Sequence, residues 1–299
     1  MSAKQIPLRL KKLTKFYGKD RGIEDITLDI EPGEVFGFLG PNGAGKSTTI
    51  RTILNFISPT SGQAQVFGLD SVHDSVELKN HIGYLAGDIA LYDRMTGQQT
   101  LEYMTSLGKR TDWDYVKELT KRLDVTLNRP IKKLSKGNKQ KIGLLQAFMH
   151  KPELIILDEP TSGLDPLMQQ IFYDMVKEIS AKGKTIFVSS HNLTEVQKIC
   201  DRAAFIRDGH LVAIEKINTG SDIKFHRYSI VFDDQPDEKA LSAIKGVTKV
   251  VVNDHVAELT LNGSADPLIQ YLAKNKVDSL DELELALEEM FMHYYQEGK

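Results

Sequence analysis

The chain has 299 residues, a length that suits two domains or one domain with an appendage. Its 38 basic and 41 acidic side chains give a formal net charge of −3, so charge offers no basis for nonspecific nucleic-acid binding, and we expect no nucleic-acid partner. The only cysteine, Cys200, excludes a disulfide framework and a cysteine-based zinc site, and it fits a reducing cytosol.

The N-terminal segment and the apolar runs bear on membrane association. The segment has no apolar signal-peptide core, and the longest apolar runs, such as Leu154–Leu157, are far too short to span a bilayer. We therefore expect any membrane role to be peripheral or to depend on a partner protein.

Residues 1–217 predict an α/β core. Short apolar runs at 34–40, 153–160 and 184–191 indicate buried strands, and helical patterns separate them. Because near-continuous apolar strands of this kind are typical of parallel sheets covered on both faces, we expect a mostly parallel sheet.

Two segments of this core have patterns of their own. Residues 203–215 predict a hairpin that turns at Asp208-Gly209, which adds an antiparallel part. Residues from about 95 to 150 show several helical patterns and no clear strand. They indicate a helical insertion in the core.

The last part of the chain, residues 222–299, predicts a small C-terminal α+β domain. A linker-like segment at 218–222 precedes it. The patterns that follow give strand, helix, strand, strand and helix in that order, and residues 283–296 have apolar side chains at helical spacing.

A glycine-rich segment follows the first buried strand and precedes a helical pattern. Its spacing is that of a P-loop, in which glycines let backbone amides curl round phosphates, a lysine reaches the β- and γ-phosphates and a hydroxyl ligates Mg²⁺. The alternative is a strand–helix turn without a ligand. The predicted ATP-binding residues here are Gly40, Pro41, Asn42, Gly43, Ala44, Gly45, Lys46, Ser47 and Thr48.

Polar side chains follow two other predicted strands. Asp158 emerges at the carboxyl end of one and is our candidate for holding Mg²⁺ with Ser47, while Glu159 is the candidate general base. His191 ends the other strand and is placed to hydrogen-bond a γ-phosphate. The alternatives are solvated acids at a strand end and a structural histidine.

A helix is predicted to begin at Ser135 with a Lys, a Gly and an Asn, and nothing apolar to bury. One interpretation is a capped surface helix, since serine is a good N-cap. The other is an anion-binding helix end that waits for a phosphate.

Together these motifs resemble the nucleotide-binding subunit of ABC transporters over roughly residues 6–217. The P-loop, a signature segment at 134–138, the acidic strand end at 154–159, a D-loop at 162–165 and the switch histidine His191 occur in the family's order. The resemblance implies an α/β P-loop NTPase fold, ATP and Mg²⁺ as cofactors, and ATP hydrolysis with Lys46, Glu159 and His191 as catalytic residues. It also implies that Tyr17 stacks on adenine; the alternative is a core tyrosine.

The same resemblance implies a homodimer with two ATP sites at its interface. In the family, the signature helix of one subunit caps the γ-phosphate held by the P-loop of the other. Ser135 and Gly137 would then contact ATP in trans, and Asp165 in the D-loop would communicate across the dimer.

Two departures from the family's pattern stand out. The signature is Leu-Ser-Lys-Gly-Asn rather than LSGGQ, which keeps the serine and the second glycine. In the Q-loop region, Ala86 and Gly87 stand where the family has Pro and Gln, and Asp88 follows. Asp88 is our candidate substitute as a metal ligand.

The P-loop context, the segment at 84–97 and the C-terminal end resemble ATPase subunits of the drug- and antibiotic-exporting class. This implies a separate membrane permease as partner and a location in the cytoplasm, on the inner face of the cell membrane. The permease contact would lie within residues 80–110.

Two alternatives remain: a soluble ABC-type ATPase acting on ribosomes or DNA, and a slow ATP-binding regulatory subunit. The C-terminal domain is either a dimer-contact or regulatory unit or a stabilising cap.

Overall fold

The computed structural model describes residues 5–107, 111–217 and 225–283. The chain divides into two compact units, Met1–Glu215 and Lys216–Lys299. The predicted linker at 218–222, and all but the first residue of the predicted terminal helix at 283–296, lie outside the described residues.

The described elements up to residue 216 alternate between strands and helices. The strands are β1 (Leu8–Tyr17), β2 (Asp20–Ile30), β3 (Val35–Leu39), β4 (Ser61–Val66), β5 (Leu69–Asp70), β6 (Ile82–Leu85), β7 (Leu154–Asp158), β8 (Thr185–Ser190), β9 (Arg202–Arg207) and β10 (His210–Lys216). The helices are α1 (Lys46–Ile53), α2 (Ser75–Lys79), α3 (Gly97–Ser106), α4 (Trp113–Arg122), α5 (Lys136–Phe148), α6 (Pro166–Ala181) and α7 (Leu193–Ile199), with a 3-10 turn at Ile131–Lys133.

The central sheet has the strand order β10-β9-β3-β8-β7-β6, and β3, β6, β7, β8 and β9 pair in parallel. Every residue of β3, β7 and β8 is buried, which is why these strands are near-continuous apolar runs. The predicted parallel sheet is confirmed. Its carboxyl edge brings together the chain segments that follow β3, β7 and β8, and the Gly40 amide donates to the Ser190 carbonyl there at 3.2 Å.

A second sheet, β2-β1-β4-β5, is antiparallel and packs on the first through α1. Leu10 from this sheet, Ile50 from α1 and Phe38 from the central sheet belong to one buried cluster. Burial of these side chains fixes α1, and therefore the loop that leads into it, against both sheets.

The predicted hairpin and helical segment are both confirmed. β9 and β10 are adjacent and are joined by Asp208 and Gly209, which both have positive φ, as a tight hairpin turn requires. Between β6 and β7 the described residues form α3, α4, the 3-10 turn and α5. Thr96, Asp112 and Ser135 cap these helices by accepting hydrogen bonds from first-turn amides.

The second unit contains β11 (Phe225–Phe232), α8 (Glu238–Ser242), β12 (Val247–Asn253), β13 (Val256–Asn262), α9 (Asp266–Leu272) and β14 (Val277–Leu283). Its strands pair antiparallel in the order β12-β13-β11-β14, which is the ferredoxin-like arrangement. It has a buried core of its own, which includes Ile230, Phe232, Leu259 and Leu268.

The strand β14 is an element that the sequence patterns did not predict. Its apolar residues Val277, Leu280 and Leu283 are three positions apart, a spacing closer to a helix than to the alternation of a strand. Among the described strands it pairs with β11 alone, and most of its side chains are exposed. An edge strand of this kind carries little of the hydrophobic pattern that identifies strands in a sequence.

Candidate functional site

The P-loop connects β3 to α1 and depends on its glycines. A Cβ on Gly40 would lie 2.3 Å from the Ile206 carbonyl oxygen. Gly45, the N-cap of α1, has φ 108° and a backbone neighbour, the Gly22 oxygen, at 2.8 Å from an added Cβ. No other residue fits either position without moving the backbone, so the loop shape is built into these glycines.

Lys46 lies within the curve of this loop. Its side chain is 6% exposed, and Nζ donates to the carbonyl oxygens of Gly40 at 2.7 Å and Pro41 at 3.2 Å. The same ammonium lies 3.3 Å from Glu159 Oε1. A buried ammonium held by carbonyls and one carboxylate is a centre of positive charge to which phosphate oxygens can bind.

Ser47 and Asp158 meet as the sequence predicts. The Ser47 hydroxyl donates to Asp158 Oδ2 at 2.8 Å, and the Ser189 hydroxyl donates to Asp158 Oδ1. Asp158 is 3% exposed and stands at the end of β7. Nearby, burial and the Asp158 charge raise the pKa of Tyr84 to about 12, while Arg51 opposes the rise.

Glu159 lies between Lys46 and His191. Its Oε2 is 2.6 Å from His191 Nδ1, and its backbone φ is 51°, a left-handed conformation that is unusual outside glycine. The ion pair of Oε1 with Lys46 lacks hydrogen-bond geometry, and this buried oxygen accepts no hydrogen bond from the described residues. The Lys46 ammonium at 3.3 Å balances the charge on this oxygen.

Lys46, Ser47 and Glu159 border an open cleft of about 340 Å³. Tyr17, at the end of β1, is 46% exposed there, and its ring lies close to Gly22, where an added Cβ would meet Tyr17 Cε2 at 2.9 Å. Tyr17 therefore lies at a strand end, but its side chain is not part of the core. The lining residues are Tyr17, Arg21, Gly22, Asn42, Gly43, Gly45, Lys46, Ser47, Thr48 and Glu159.

The start of α5 is a separate cluster of predicted residues. Ser135 caps the helix by accepting from the Asn138 amide at 3.2 Å. An added Cβ on Gly137 would lie 2.6 Å from the Gly163 carbonyl oxygen, so this helix end packs directly on the D-loop. In that loop Asp165 caps α6 by accepting from the Met168 amide at 3.0 Å. Neither Ser135 nor Gly137 lines the P-loop cleft of its own chain.

The Q-loop region contributes backbone rather than a side chain at the site. An added Cβ on Gly87 would lie 3.1 Å from Asp158 Oδ2, the oxygen that accepts from Ser47. Asp88 is exposed, and no hydrogen bond or ion pair among the described residues joins it to Ser47 or Asp158. Its part in metal binding stays a prediction.

Gln140 is a site neighbour that sequence reasoning missed. It is buried on α5, and its Nε2 donates to the carbonyl oxygens of Glu159 at 3.1 Å and Pro160 at 2.9 Å. This pair of bonds connects the signature helix to the strained backbone of Glu159. In the sequence, Gln140 is a polar residue on the apolar face of a helix. Only the fold shows that this side chain is buried rather than exposed.

The described residues contain neither a ready-made metal cluster nor a membrane-spanning helix. Within 5–107, 111–217 and 225–283, no group of three or more His, Cys, Asp or Glu side chains is arranged to hold a metal ion on its own. No helix in these ranges has both the length and the apolar character needed to cross a bilayer.

Comparison with known proteins identifies the family. The model of the ABC transporter family matches residues 23–162. The ABC transporter ATP-binding protein NatA of Bacillus subtilis (strain 168) is 38% identical over 198 residues, which are 64% of this chain and 80% of that protein. The bacitracin transport ATP-binding protein BcrA of Bacillus licheniformis is 35% identical over 212 residues, 69% of this chain and 68% of BcrA.

A solved structure agrees with these relatives. It is the dimeric structure of a post-hydrolysis state of the ATP-binding cassette MJ0796 bound to ADP and Pi, with a TM-score of 0.64 and 25% identity over 71% of this chain and 99% of that one. This chain belongs to the ABC transporter family, among its ATP-binding proteins. The predictions of the family, of an α/β P-loop fold and of an ABC ATPase are confirmed.

Proposed function

We propose that this chain is the ATP-hydrolysing motor subunit of a membrane exporter and drives a separate permease by ATP-dependent closure of a homodimer. The observation that carries the proposal is the chain of charges from Lys46 through Glu159 to His191, beside the Ser47–Asp158 pair, at one edge of a parallel sheet. The relatives named for transport, NatA and BcrA, support the coupling to export.

ATP binding follows from the cleft at the P-loop. Phosphate oxygens replace the Gly40 and Pro41 carbonyls as partners of Lys46, because charge-assisted bonds to phosphate are stronger than bonds to neutral carbonyls. The backbone amides of Gly40–Thr48 and the N-terminus of α1 add partial positive charge. Tyr17 offers a half-exposed ring on which adenine stacks.

Mg²⁺ fits the Ser47 and Asp158 oxygens, which already lie 2.8 Å apart. The absence of a larger acidic cluster among the described residues agrees with an ion that takes its other ligands from phosphate and water. Bound there, Mg²⁺ would neutralise charge on the β- and γ-phosphates. Gly87 leaves space beside Asp158 for water, and Asp88 is a further candidate ligand.

Hydrolysis needs a base and a group that fixes the water. Glu159 has one carboxylate oxygen with no hydrogen-bond donor among the described residues, and we assign it as the general base that accepts a proton from the attacking water. His191 holds the other oxygen and hydrogen-bonds the γ-phosphate, while Lys46 stabilises charge on the transferring phosphoryl group.

The second half of the site comes from another copy of the chain. Ser135 and Gly137 stand at the N-terminus of α5, outside the cleft of their own chain, which supports a contact with the γ-phosphate held by a partner. Asp165 follows the loop on which Gly137 packs and is placed to communicate across the dimer. Two copies arranged head to tail complete two sites.

The permease contact is assigned to residues 80–110. Tyr92 is 51% exposed and packs edge-to-face on Tyr103 at 5.5 Å between ring centroids. With Leu91 and Met95 these rings offer an apolar surface to a partner helix. The subunit then works in the cytoplasm, held on the inner face of the membrane by the permease.

One observation favours a different function for the same fold. With Ala86 and Gly87 in the Q-loop, no amide side chain is available beside Asp158, which suits a slow ATP-binding regulatory subunit. The ribosome- or DNA-acting alternative has no comparable support, since the charge is negative and the relatives reported are transport proteins.

Steady-state ATP hydrolysis separates the motor from the regulator. We expect wild type to turn over and Glu159→Gln to lose about 100-fold or more in kcat, because the base is lost while the amide keeps the shape. Lys46→Ala is the matched variant that should lose tight ATP binding instead. If wild type and Glu159→Gln hydrolysed ATP equally slowly, the motor assignment would be overturned.

A further inference from the structure

Glu195 is a buried acid near the site that the roles above do not use. It lies on α7, and its side chain is 2% exposed. The Ser190 hydroxyl donates to its Oε2 at 2.6 Å, and the Thr161 hydroxyl is a second polar neighbour of the carboxyl. Burying an ionisable carboxyl costs free energy even beside such partners, so its presence calls for a function.

The contacts of Glu195 converge on the turn that carries His191. The Ser190 hydroxyl, which Glu195 holds, also accepts from the Asn192 amide at 3.0 Å. The Asn192 side chain in turn accepts from the Glu195 amide at 3.2 Å. The residues on both sides of His191 are therefore fixed by the same carboxyl and its helix.

The turn is also tied to the phosphate loop. The Ser190 carbonyl accepts from the Gly40 amide at 3.2 Å, where the P-loop begins. His191 itself is exposed, and among the described residues its ring makes a polar contact only with Glu159. An exposed ring on a rigid turn depends on that turn, rather than on packing, for its position.

We propose that Glu195 is a positioning residue for His191: through Ser190 it holds the turn so that His191 Nδ1 meets Glu159 Oε2. This inference rests on the proposed roles of Glu159 and His191. The ionisable groups that face Glu195 are those two side chains, from the ends of β7 and β8, and the buried Cys200 thiol just after α7.

The protonation state of Glu195 is consistent with this position. Burial, with the nearby Glu159 charge, raises the pKa of the carboxyl to about 7, while the Ser190 and Thr161 hydroxyls and His191 oppose the rise. A neutral carboxyl still accepts from Ser190. The glutamine variant should therefore keep the positioning contact, whereas an aliphatic residue should not.

ATP hydrolysis by the full-length chain tests the proposal in two backgrounds, wild type and His191→Ala. In the wild-type background we expect Glu195→Leu and Ser190→Ala to lower kcat about 10-fold or more. KM for ATP should change less than about 2-fold, because neither change removes a P-loop side chain or the backbone bond between Gly40 and Ser190. Glu195→Gln should keep most of the activity. Gln197→Leu, on the same helix, is the matched control and should behave as wild type.

The His191→Ala background shows whether Glu195 acts through His191. If Glu195 acts through His191, Glu195→Leu causes no further loss there. An equal fall in both backgrounds, or a rise in KM as large as the fall in kcat, would overturn the inference. If Glu195→Leu does not fold, Ser190→Ala carries the same comparison.

The outcomes also separate this inference from the proposed function. A His191→Ala enzyme that turned over like wild type would overturn the site assignment and this inference together. A slow His191→Ala enzyme combined with unaffected Ser190→Ala and Glu195→Leu enzymes would overturn this inference alone.

Discussion

At the scale of single residues, Glu159 shows how the site combines strain and charge. Its left-handed backbone costs about 1–2 kcal/mol for a residue with a Cβ. The backbone amide is held by the Ser189 carbonyl at 3.1 Å, and Gln140 holds the carbonyl, so the surrounding structure maintains the conformation. The carboxylate is thereby directed between Lys46 and His191.

The raised pKa of Glu195 predicts a pH dependence of stability. The carboxyl titrates near 7 in the folded protein, against an ordinary value of 4.5, so the folded state binds this proton more tightly than the unfolded chain does. Raising the pH from about 4.5 to about 7 therefore costs the folded state on the order of 3 kcal/mol, and the loss is complete above about 7.

Denaturant unfolding at several pH values measures this effect. We expect Glu195→Gln, which does not titrate, to gain stability relative to wild type as the pH rises from about 5 to about 8. If the stabilities of wild type and Glu195→Gln changed in parallel over this range, Glu195 would have an ordinary pKa.

At the scale of elements, the sequence predicted those strands that burial marks with apolar runs, and the site residues at the ends of these strands. β3, β7 and β8 are fully buried, and their apolar runs therefore placed Lys46, Asp158 and His191 at one sheet edge. β14 is an exposed edge strand and left no such pattern. Gln140 and Glu195 were not predicted as site neighbours because their roles depend on contacts made by distant segments.

The contact between α5 and the D-loop gives a prediction at this scale. A Cβ at Gly137 would lie 2.6 Å from the Gly163 carbonyl oxygen, so Gly137→Ala must displace the start of α5. We expect ATP binding to the single chain to be unchanged, since the P-loop is separate. ATP-dependent dimerisation, measured by sedimentation in the Glu159→Gln background, should weaken about 10-fold or more.

The matched control for this change lies on the same helix. Lys139→Ala shortens an α5 side chain and leaves the backbone bond from the Lys139 amide to the Ser135 carbonyl in place. It should dimerise like its parent. A Gly137→Ala protein that dimerised equally well would contradict a role for the α5 N-terminus in trans.

At the scale of the whole molecule, the residues assigned to ATP all lie in the first unit. The second unit has its own core and a ferredoxin-like sheet, and no predicted site residue falls in it. The dimer and the permease were inferred from family resemblance, because a single chain contains only half of each proposed contact.

Purification from native membranes with Mg-ATP tests the central claim, that ATP-dependent closure couples this subunit to a permease. Tagged Glu159→Gln should be trapped as an ATP-bound dimer and bring down a polytopic membrane protein. Lys46→Ala, which lacks tight ATP binding, is the control for the ATP-bound state. Adding Tyr92→Asp and Met95→Asp to Glu159→Gln should release the membrane protein while the dimer persists. A Glu159→Gln protein that stayed monomeric at saturating Mg-ATP, or that brought down ribosomes or DNA-bound factors and no membrane protein, would contradict the account.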